Sequence, residues 1–348
     1  MDISLFDYKL PRELIAQFPS RRRDQSRLMV LDRGCRPPGL QTICHFRKIV
    51  DYLAPGDALV VNNTKVFKAR LFGRRATGAK VEIFLVRPID RLQSRRWYAL
   101  VYPSRRVKEG ERILFDSFGV LLAKDAGGGT WEVEFESDRQ RRTIISRFGH
   151  VPLPHYIKRK DEPGDVRRYQ TVFAHPDNIG AVAAPTAGFH FTRPILDSIR
   201  ARGVELVELC LHVGPGTFKP VTAFNIDDHV VDPEMASLPP VAALVLNHVR
   251  ERGGRIVAVG TTSVRTLESA PVQNGLIQPF SAMVDLYIRP GHKFTLVDRL
   301  LTNFHLPKSS LLILVSAFAG REPVLQAYQE AIKERMRFYS YGDAMLIL

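Results

Sequence analysis

The sequence has no apolar run approaching the roughly 18 residues that a membrane-spanning helix requires. Its longest candidate, Leu311 to Ala319, reads as a buried helix. The opening MDISLFDYKLPREL lacks the basic-then-apolar layout of a signal peptide. Cysteine is scarce. Cys35, Cys44 and Cys210 are odd in number and fall at no metal-ligand or framework spacing, which argues against zinc and disulfides and fits a reducing cytoplasm. Cys210 lies in an apolar stretch and reads as an inert core residue. No GxxxxGK[ST] is present for P-loop phosphoryl transfer, and there is no HExxH, CxxC or GxSxG. Gly214-Pro215-Gly216 lacks the third glycine of a dinucleotide fingerprint.

What the chain has is length and lopsided charge. Its 348 residues exceed one ordinary core and predict two domains. The net charge of +14 lies wholly in the first half: residues 1–174 hold 34 Lys and Arg against 20 acids, and residues 175–348 hold 16 of each. The excess comes in clusters, at 21–23, 74–75, 95–96, 105–106, 141–142, 158–160 and 167–168. Single clusters of this kind are ordinarily solvated surface. Seven on one side of the sequence point to a polyanion, most simply a nucleic acid, and with no zinc finger, basic zipper or RNA-recognition signature the contact would be with shape.

Short β-type runs at 81–86, 97–102, 112–115, 118–123 and 131–136, separated by turn residues, predict a small closed barrel. Asp138 to Phe148 predicts a helix. The second half alternates strands (204–213, 255–260, 285–288, 300–304, 344–348) with helices (194–201, 240–252, 261–270, 310–320, 323–336). The fold expected is therefore α/β, a mostly parallel sheet covered by helices, formed by 1–70 and 150–348, with an inserted small β-barrel domain at 71–149.

Ligands of open α/β sheets bind beyond the carboxyl ends of the strands. Three loops there carry Gly, hydroxyl or basic residues: Gly214, Gly216 and Thr217; Thr261, Thr262 and Ser263 with Arg265; and Asn303, His305 and Lys308. One such loop alone reads as helix capping. Three at successive strand ends predict a polar, metal-free pocket. GAVAAPTAGFHFT (180–192) enters the same edge. Its small residues, Thr186 and Gly188 among them, permit close approach to a ligand, and Phe189 and Phe191 flank His190. His190 reads equally well as a structural histidine; His212, beside Gly214 and Gly216, is better placed for proton transfer near neutral pH.

Long ordered motifs then carry a resemblance: SLFDYKLPRELIAQFP (4–19), GDALVVNNTKVFKARLFG (56–73), VPLPHYIKR (151–159), GAVAAPTAGFHFT (180–192), LHVGPGTFKPV (211–221), AVGTTSVRTLES (258–269), LLTNFHLPKSSLLILVSAFAG (300–320) and RFYSYGDAMLI (337–347). Over nearly its whole length the chain resembles the S-adenosylmethionine:tRNA ribosyltransferase-isomerases of queuosine biosynthesis. The resemblance implies transfer and isomerisation of the ribosyl part of S-adenosylmethionine onto 7-aminomethyl-7-deazaguanine at a wobble-G position of tRNA. Epoxyqueuosine forms and adenine and methionine leave. S-adenosylmethionine is then a co-substrate, with no prosthetic group, metal, membrane or stable protein partner, and the enzyme a cytoplasmic monomer. His190 or His212 with Glu234 would move protons. Thr217, Thr261, Thr262, Ser263 and Asn303 would orient ribose and adenine, and Arg265 and Lys308 would take a carboxylate or phosphate. Two positions depart from the family pattern: Asp232, in IDDHVVDPE (226–234), where a His is expected, and His155 where a Pro is usual. The rival readings are an RNA-binding protein with a degenerate pocket and a transferase acting on a free base or small amine.

Overall fold

The computed structural model describes residues 1–35, 39–89, 95–218 and 220–348, the side chains of Gln41, Thr217 and Phe218 excepted. Nine strands form one sheet in the order Phe280–Val284, Glu234–Leu238, Glu205–Leu211, Ala58–Asn62, Ile256–Val259, Arg299–Asn303, Ala344–Ile347, Arg27–Asp32 and Gly39–His45. The four strands from Glu205–Leu211 to Arg299–Asn303 are mutually parallel, which is the parallel centre that the alternating strands and helices predict. Antiparallel pairs flank it on both sides.

Burial explains where the parallel strands sit. Every residue of Ala58–Asn62 and Ile256–Val259 is buried, as both faces of the sheet are covered. Ala58 and Val60 pack with the helices Pro240–Glu251, Thr261–Glu268, Ser310–Ala319 and Arg321–Lys333. Leu59 and Val61 face Phe46, Ile49 and the helix Arg193–Ala201 on the other side. This period-two division builds a three-layer α/β core. The edge strand Phe280–Val284 is largely exposed.

The barrel is closed. Six antiparallel strands run in the order Arg70–Arg74, Lys80–Pro88, Arg96–Tyr102, Thr130–Glu134, Phe118–Gly127, Arg112–Phe115, and the last returns to the first at Arg74 and Leu114. Alternate residues fill it, among them Ile83, Ala99, Ile113, Leu122 and Val133. Closure needs a glycine at position 73, where a Cβ would lie 2.6 Å from the Ile113 side chain. Helix Asp138–Phe148 begins at Ser137, whose hydroxyl accepts from the Gln140 amide at 3.1 Å, and it tucks Ile144 into the barrel core. Gly149–His150 then pairs with Leu71 and Arg70, leading the chain back towards the large sheet.

Arg27–Asp32, Gly39–His45, Arg70–Arg74 and Glu234–Leu238 lie outside the expected strands. The first, the third and the last owe their place to partners remote in sequence. The strand expected at 285–288 lies instead at Phe280–Val284, because pairing with the neighbouring strand runs out at Glu234 and Val284.

Candidate active site

The carboxyl ends of the parallel strands are tied together by Asn62, fully buried at the end of its own strand. Its Nδ2 donates to the Leu211 carbonyl at 3.0 Å and to Thr262 Oγ1 at 3.3 Å, and its Oδ1 accepts from the amides of Leu211 and Thr64, both at 3.1 Å. One amide side chain therefore spaces three strand ends. After Ile256–Val259 the chain turns at Gly260, with φ of 87°, directly into the helix Thr261–Glu268. No side chain caps this helix, so hydroxyl capping does not explain Thr-Thr-Ser. The Ser263 hydroxyl points back to the Val259 carbonyl at 2.7 Å and strengthens the turn. Thr261 and Thr262 line a pocket with Thr186, Asn303 and His305, so residues from three separate expected loops meet there.

His190 is 3 % exposed and stacks on Phe46, with ring centroids 5.0 Å apart. Its Nε2 lies 3.2 Å from Asn303 Nδ2, which can only donate, so Nε2 accepts. The neutral ring then carries its proton on Nδ1 and donates to Ser26 Oγ at 2.7 Å. Asn303 Oδ1 in turn accepts from Thr186 Oγ1 at 3.0 Å. Burial first, then the charges of Arg23 and Arg337, push the His190 pKa down to about 3. His190 is thus a neutral link in a chain of hydrogen bonds. His305 is likewise pushed down to about 3 by burial, with Nε2 2.8 Å from Thr302 Oγ1.

His212 stands at a different place. It lines a cleft of about 1280 Å³ between the barrel and the sheet edge. Thr64 Oγ1 is 2.8 Å from its Nδ1, and Gly180 lies flat on the ring, where a Cβ would come within 2.8 Å. The barrel contributes Arg87, Arg141, Arg142, Trp97 and Tyr98 to the facing wall, Lys68 lies just before the first barrel strand, and the sheet edge contributes Gly214, Asp232 and Glu234. Glu234 accepts from the Gly214 amide through Oε1 at 2.7 Å and is ion-paired through Oε2 to Arg265 Nη1. Arg265 also donates to the carbonyls of Leu286 at 3.1 Å and Val284 at 3.2 Å. Behind this pair is a second cavity of about 590 Å³, lined by Gly216, Asp232, Glu234, Arg265 and Tyr287. A Cβ on Gly216 would overlap the Asp232 carboxylate, so the glycine makes room for the acid.

The residues singled out in the sequence therefore fall into two groups. Thr186, Thr261, Thr262, Asn303 and His305 share one pocket; His212, Gly214, Gly216, Glu234 and Arg265 line the cleft and the cavity behind it. His190 and Ser263 sit behind the first pocket, and Gly188 packs against Phe173 and Thr171. Lys308 is apart, on the surface, its Nζ 2.8 Å from Asp7 Oδ2. The side chain of Thr217 lies outside the described residues. Sequence reasoning passed over Asn62 and Thr64, although both follow a strand at the same edge. Among the described residues no group of three or more His, Cys, Asp or Glu could hold a metal ion, and no helix is long and apolar enough to cross a membrane.

Comparison with known proteins places the whole chain in one family. The family model of a queuosine biosynthesis protein matches residues 3–347. S-adenosylmethionine:tRNA ribosyltransferase-isomerases of Moorella thermoacetica and Citrifermentans bemidjiense are 48 % and 47 % identical over 354 and 347 residues, covering the whole of both chains in each case. The crystal structure of S-adenosylmethionine tRNA ribosyltransferase from Thermotoga maritima is 39 % identical, covers 99 % of this chain and 100 % of its own, and has a TM-score of 0.56.

Proposed function

The chain belongs to the queuosine biosynthesis family of S-adenosylmethionine:tRNA ribosyltransferase-isomerases and is an enzyme of the transferase class, and on that premise we propose the reaction it performs. S-adenosylmethionine is the donor, and its ribosyl part is transferred to the amine of 7-aminomethyl-7-deazaguanine at a wobble-G position of tRNA. The ribosyl part is rebuilt as the epoxycyclopentanediol of epoxyqueuosine, and adenine and methionine leave.

One observation carries this reading. The cleft of about 1280 Å³ has a basic, aromatic barrel wall facing a floor of His212, Asp232 and Glu234. A site for one small molecule occupies about 300–1000 Å³, so the cleft accommodates a nucleoside donor and a projecting RNA base together. We assign the donor to the α/β part, 1–70 and 150–348, and RNA contacts to the wall of the barrel, 71–149. The sulfonium acidifies the neighbouring C5′ hydrogen. His212 and Glu234 are the groups we assign to proton transfer there and at the departing adenine. His190, neutral and bonded at both nitrogens, holds Asn303 in place rather than exchanging protons. Thr186, Thr261, Thr262 and Asn303 line the smaller pocket next to the cleft, with Val213 lining one and His212 and Gly214 the other, and we assign to them the part of the donor's ribose and adenine that reaches it. The reading includes a cytoplasmic enzyme that works as a monomer, without a stable protein partner or prosthetic group.

The test is direct. Purified protein is mixed with S-adenosylmethionine and a wobble-G tRNA carrying 7-aminomethyl-7-deazaguanine. Adenine release together with the heavier cyclopentane-bearing nucleoside in the digest is the expected result. Tight tRNA binding with neither product would overturn it in favour of a non-catalytic binder.

A further inference from the structure

Three of the seven basic clusters, remote in sequence, meet around the loop 17–23. Arg23 Nη2 donates to the carbonyls of Arg167 at 3.1 Å and Gln170 at 2.8 Å, and its Nη1 to the Phe189 carbonyl at 3.0 Å. Arg168 donates to the Ser20 carbonyl. Arg337, from the far end of the chain, donates to Ser20 Oγ at 2.7 Å and to the Phe18 carbonyl. Arg159 Nε donates to the Gln17 carbonyl at 3.1 Å, and the Lys158 amide to Gln17 Oε1 at 2.7 Å.

This face is short of negative charge. Among the described residues, the guanidinium groups of Arg23, Arg168 and Arg337 have no carboxylate within ion-pair distance; they are held by carbonyls and a hydroxyl. The nearby acids are committed elsewhere. Asp165 takes both Nη groups of Arg159, at 2.6 and 2.8 Å, and Asp343 accepts the amides of Arg27 and Arg337, each at 2.8 Å. Burial first, and then the repulsion of neighbouring arginines, lowers the pKa of each of the three guanidinium groups, at Arg337 against the opposing charge of Asp343. Such a cluster gains when an anion arrives. Arg23 and Arg168 line a small pocket with Ser20, Ser26, Ser340 and Tyr341. Around it Arg21, Arg22, Lys158, Lys160 and Arg167 are exposed, and so is Phe18, with the Arg159 guanidinium 4.4 Å from its ring centroid.

We propose that this face is an RNA-backbone site. A phosphodiester seats over the mouth of the pocket at Arg23 and Arg168, with Arg337 alongside at Ser20, the exposed cations follow the neighbouring phosphates, and Phe18 offers a stacking surface to a base. The inference rests on the tRNA reading above and adds to it a surface separate from the barrel wall. The phosphate pocket and the pocket of Thr186 and Asn303 share Ser340, and the chain Ser26–His190–Asn303–Thr186 runs between them. RNA held here lies beside the pocket of Thr186 and Asn303.

The experiment measures binding of tRNA lacking the 7-deazaguanine, so that no turnover intervenes, across a range of salt concentrations. It compares the wild type, the triple variant Arg21→Ala/Arg22→Ala/Lys158→Ala, the variant Phe18→Ala, and a control triple on the barrel, Arg105→Ala/Arg106→Ala/Lys108→Ala. All six cations are exposed, so folding is preserved. Each lost phosphate contact lowers the slope of log K against log salt by about 0.7–0.9. The first triple should bind roughly ten-fold or more weaker with a shallower slope, Phe18→Ala several-fold weaker with an unchanged slope, and the control triple like wild type. Wild-type affinity and slope in the first triple overturn the proposal, including the case in which the pocket takes only inorganic phosphate. Weakening confined to the control triple overturns it too and leaves RNA contacts to the barrel alone. A wild type that fails to bind any tRNA sinks the functional reading itself.

Discussion

Glu234 and Arg265 form a buried ion pair that stands as the partition between the large cleft and the cavity behind it. The carboxylate also accepts the Gly214 amide, so one side chain holds the glycine turn, the arginine and the cleft floor together.

Removing one member of this pair leaves the other buried charge without its partner. Glu234→Gln or Arg265→Met alone should lower stability by about 3–5 kcal/mol, read by chemical denaturation. The double variant Glu234→Gln/Arg265→Met should regain most of that stability. Activity should stay about 100-fold or more below wild type in the double variant, if Glu234 moves a proton. Recovery of activity along with stability would reduce Glu234 to a structural role.

Acid sensitivity should trace to His190 and His305. Both are held neutral in the fold, with pKa values pushed down to about 3 from an ordinary 6.5. Below pH 6.5 the unfolded chain binds protons at these positions and the folded chain does not, so their contribution is whole above pH 6.5 and is lost as pH falls towards 3. Each costs about 1.4 kcal/mol per pH unit in that window. Denaturation of His190→Gln between pH 7 and 4 should show a pH slope shallower than wild type by about one proton. An unchanged slope would mean that His190 is solvated.

Gly180→Ala should displace His212. The added methyl meets the imidazole at 2.8 Å and pushes it from Thr64. Turnover should fall at least ten-fold, with about 1–3 kcal/mol of stability lost to overpacking and tRNA affinity unchanged. Wild-type turnover would remove His212 from the mechanism.

Asn62→Leu keeps the volume but leaves the Leu211 amide and carbonyl without their partner. The loss should be about 2–5 kcal/mol, since each buried unpaired group costs about 1–3 kcal/mol. Thermal unfolding reads it, and a change under 1 kcal/mol would show that the strand ends hold their spacing without the amide.

The candidate site was only partly legible in the sequence. Thr261, Thr262, Asn303 and Thr186 were found because a strand followed by small and hydroxyl residues marks a ligand edge, and the structure brings them into one pocket. The roles of the histidines were not legible, because burial sets them. His190 and His212 look alike in sequence, yet one is sealed against Phe46 and the other lines an open cleft. Ser263 reads as a ligand hydroxyl until the helix start turns it onto the Val259 carbonyl. Arg70–Arg74, with arginines at both ends and a glycine between, does not read as a strand; barrel closure makes it one, since its amides find partners on both sides.

By itself the sequence determined the three-layer α/β plan with its closed barrel, the family, and a charge excess confined to the first half. Periodicity, turn residues and composition are properties of the chain itself, independent of how it packs. Tertiary structure alone decided that His190 is sealed and neutral, that Glu234 and Arg265 share a buried bond, and that cations at 21–23, 158–160, 167–168 and 337 occupy one face. These depend on distance and desolvation between residues up to 319 positions apart, and chain order carries no record of either.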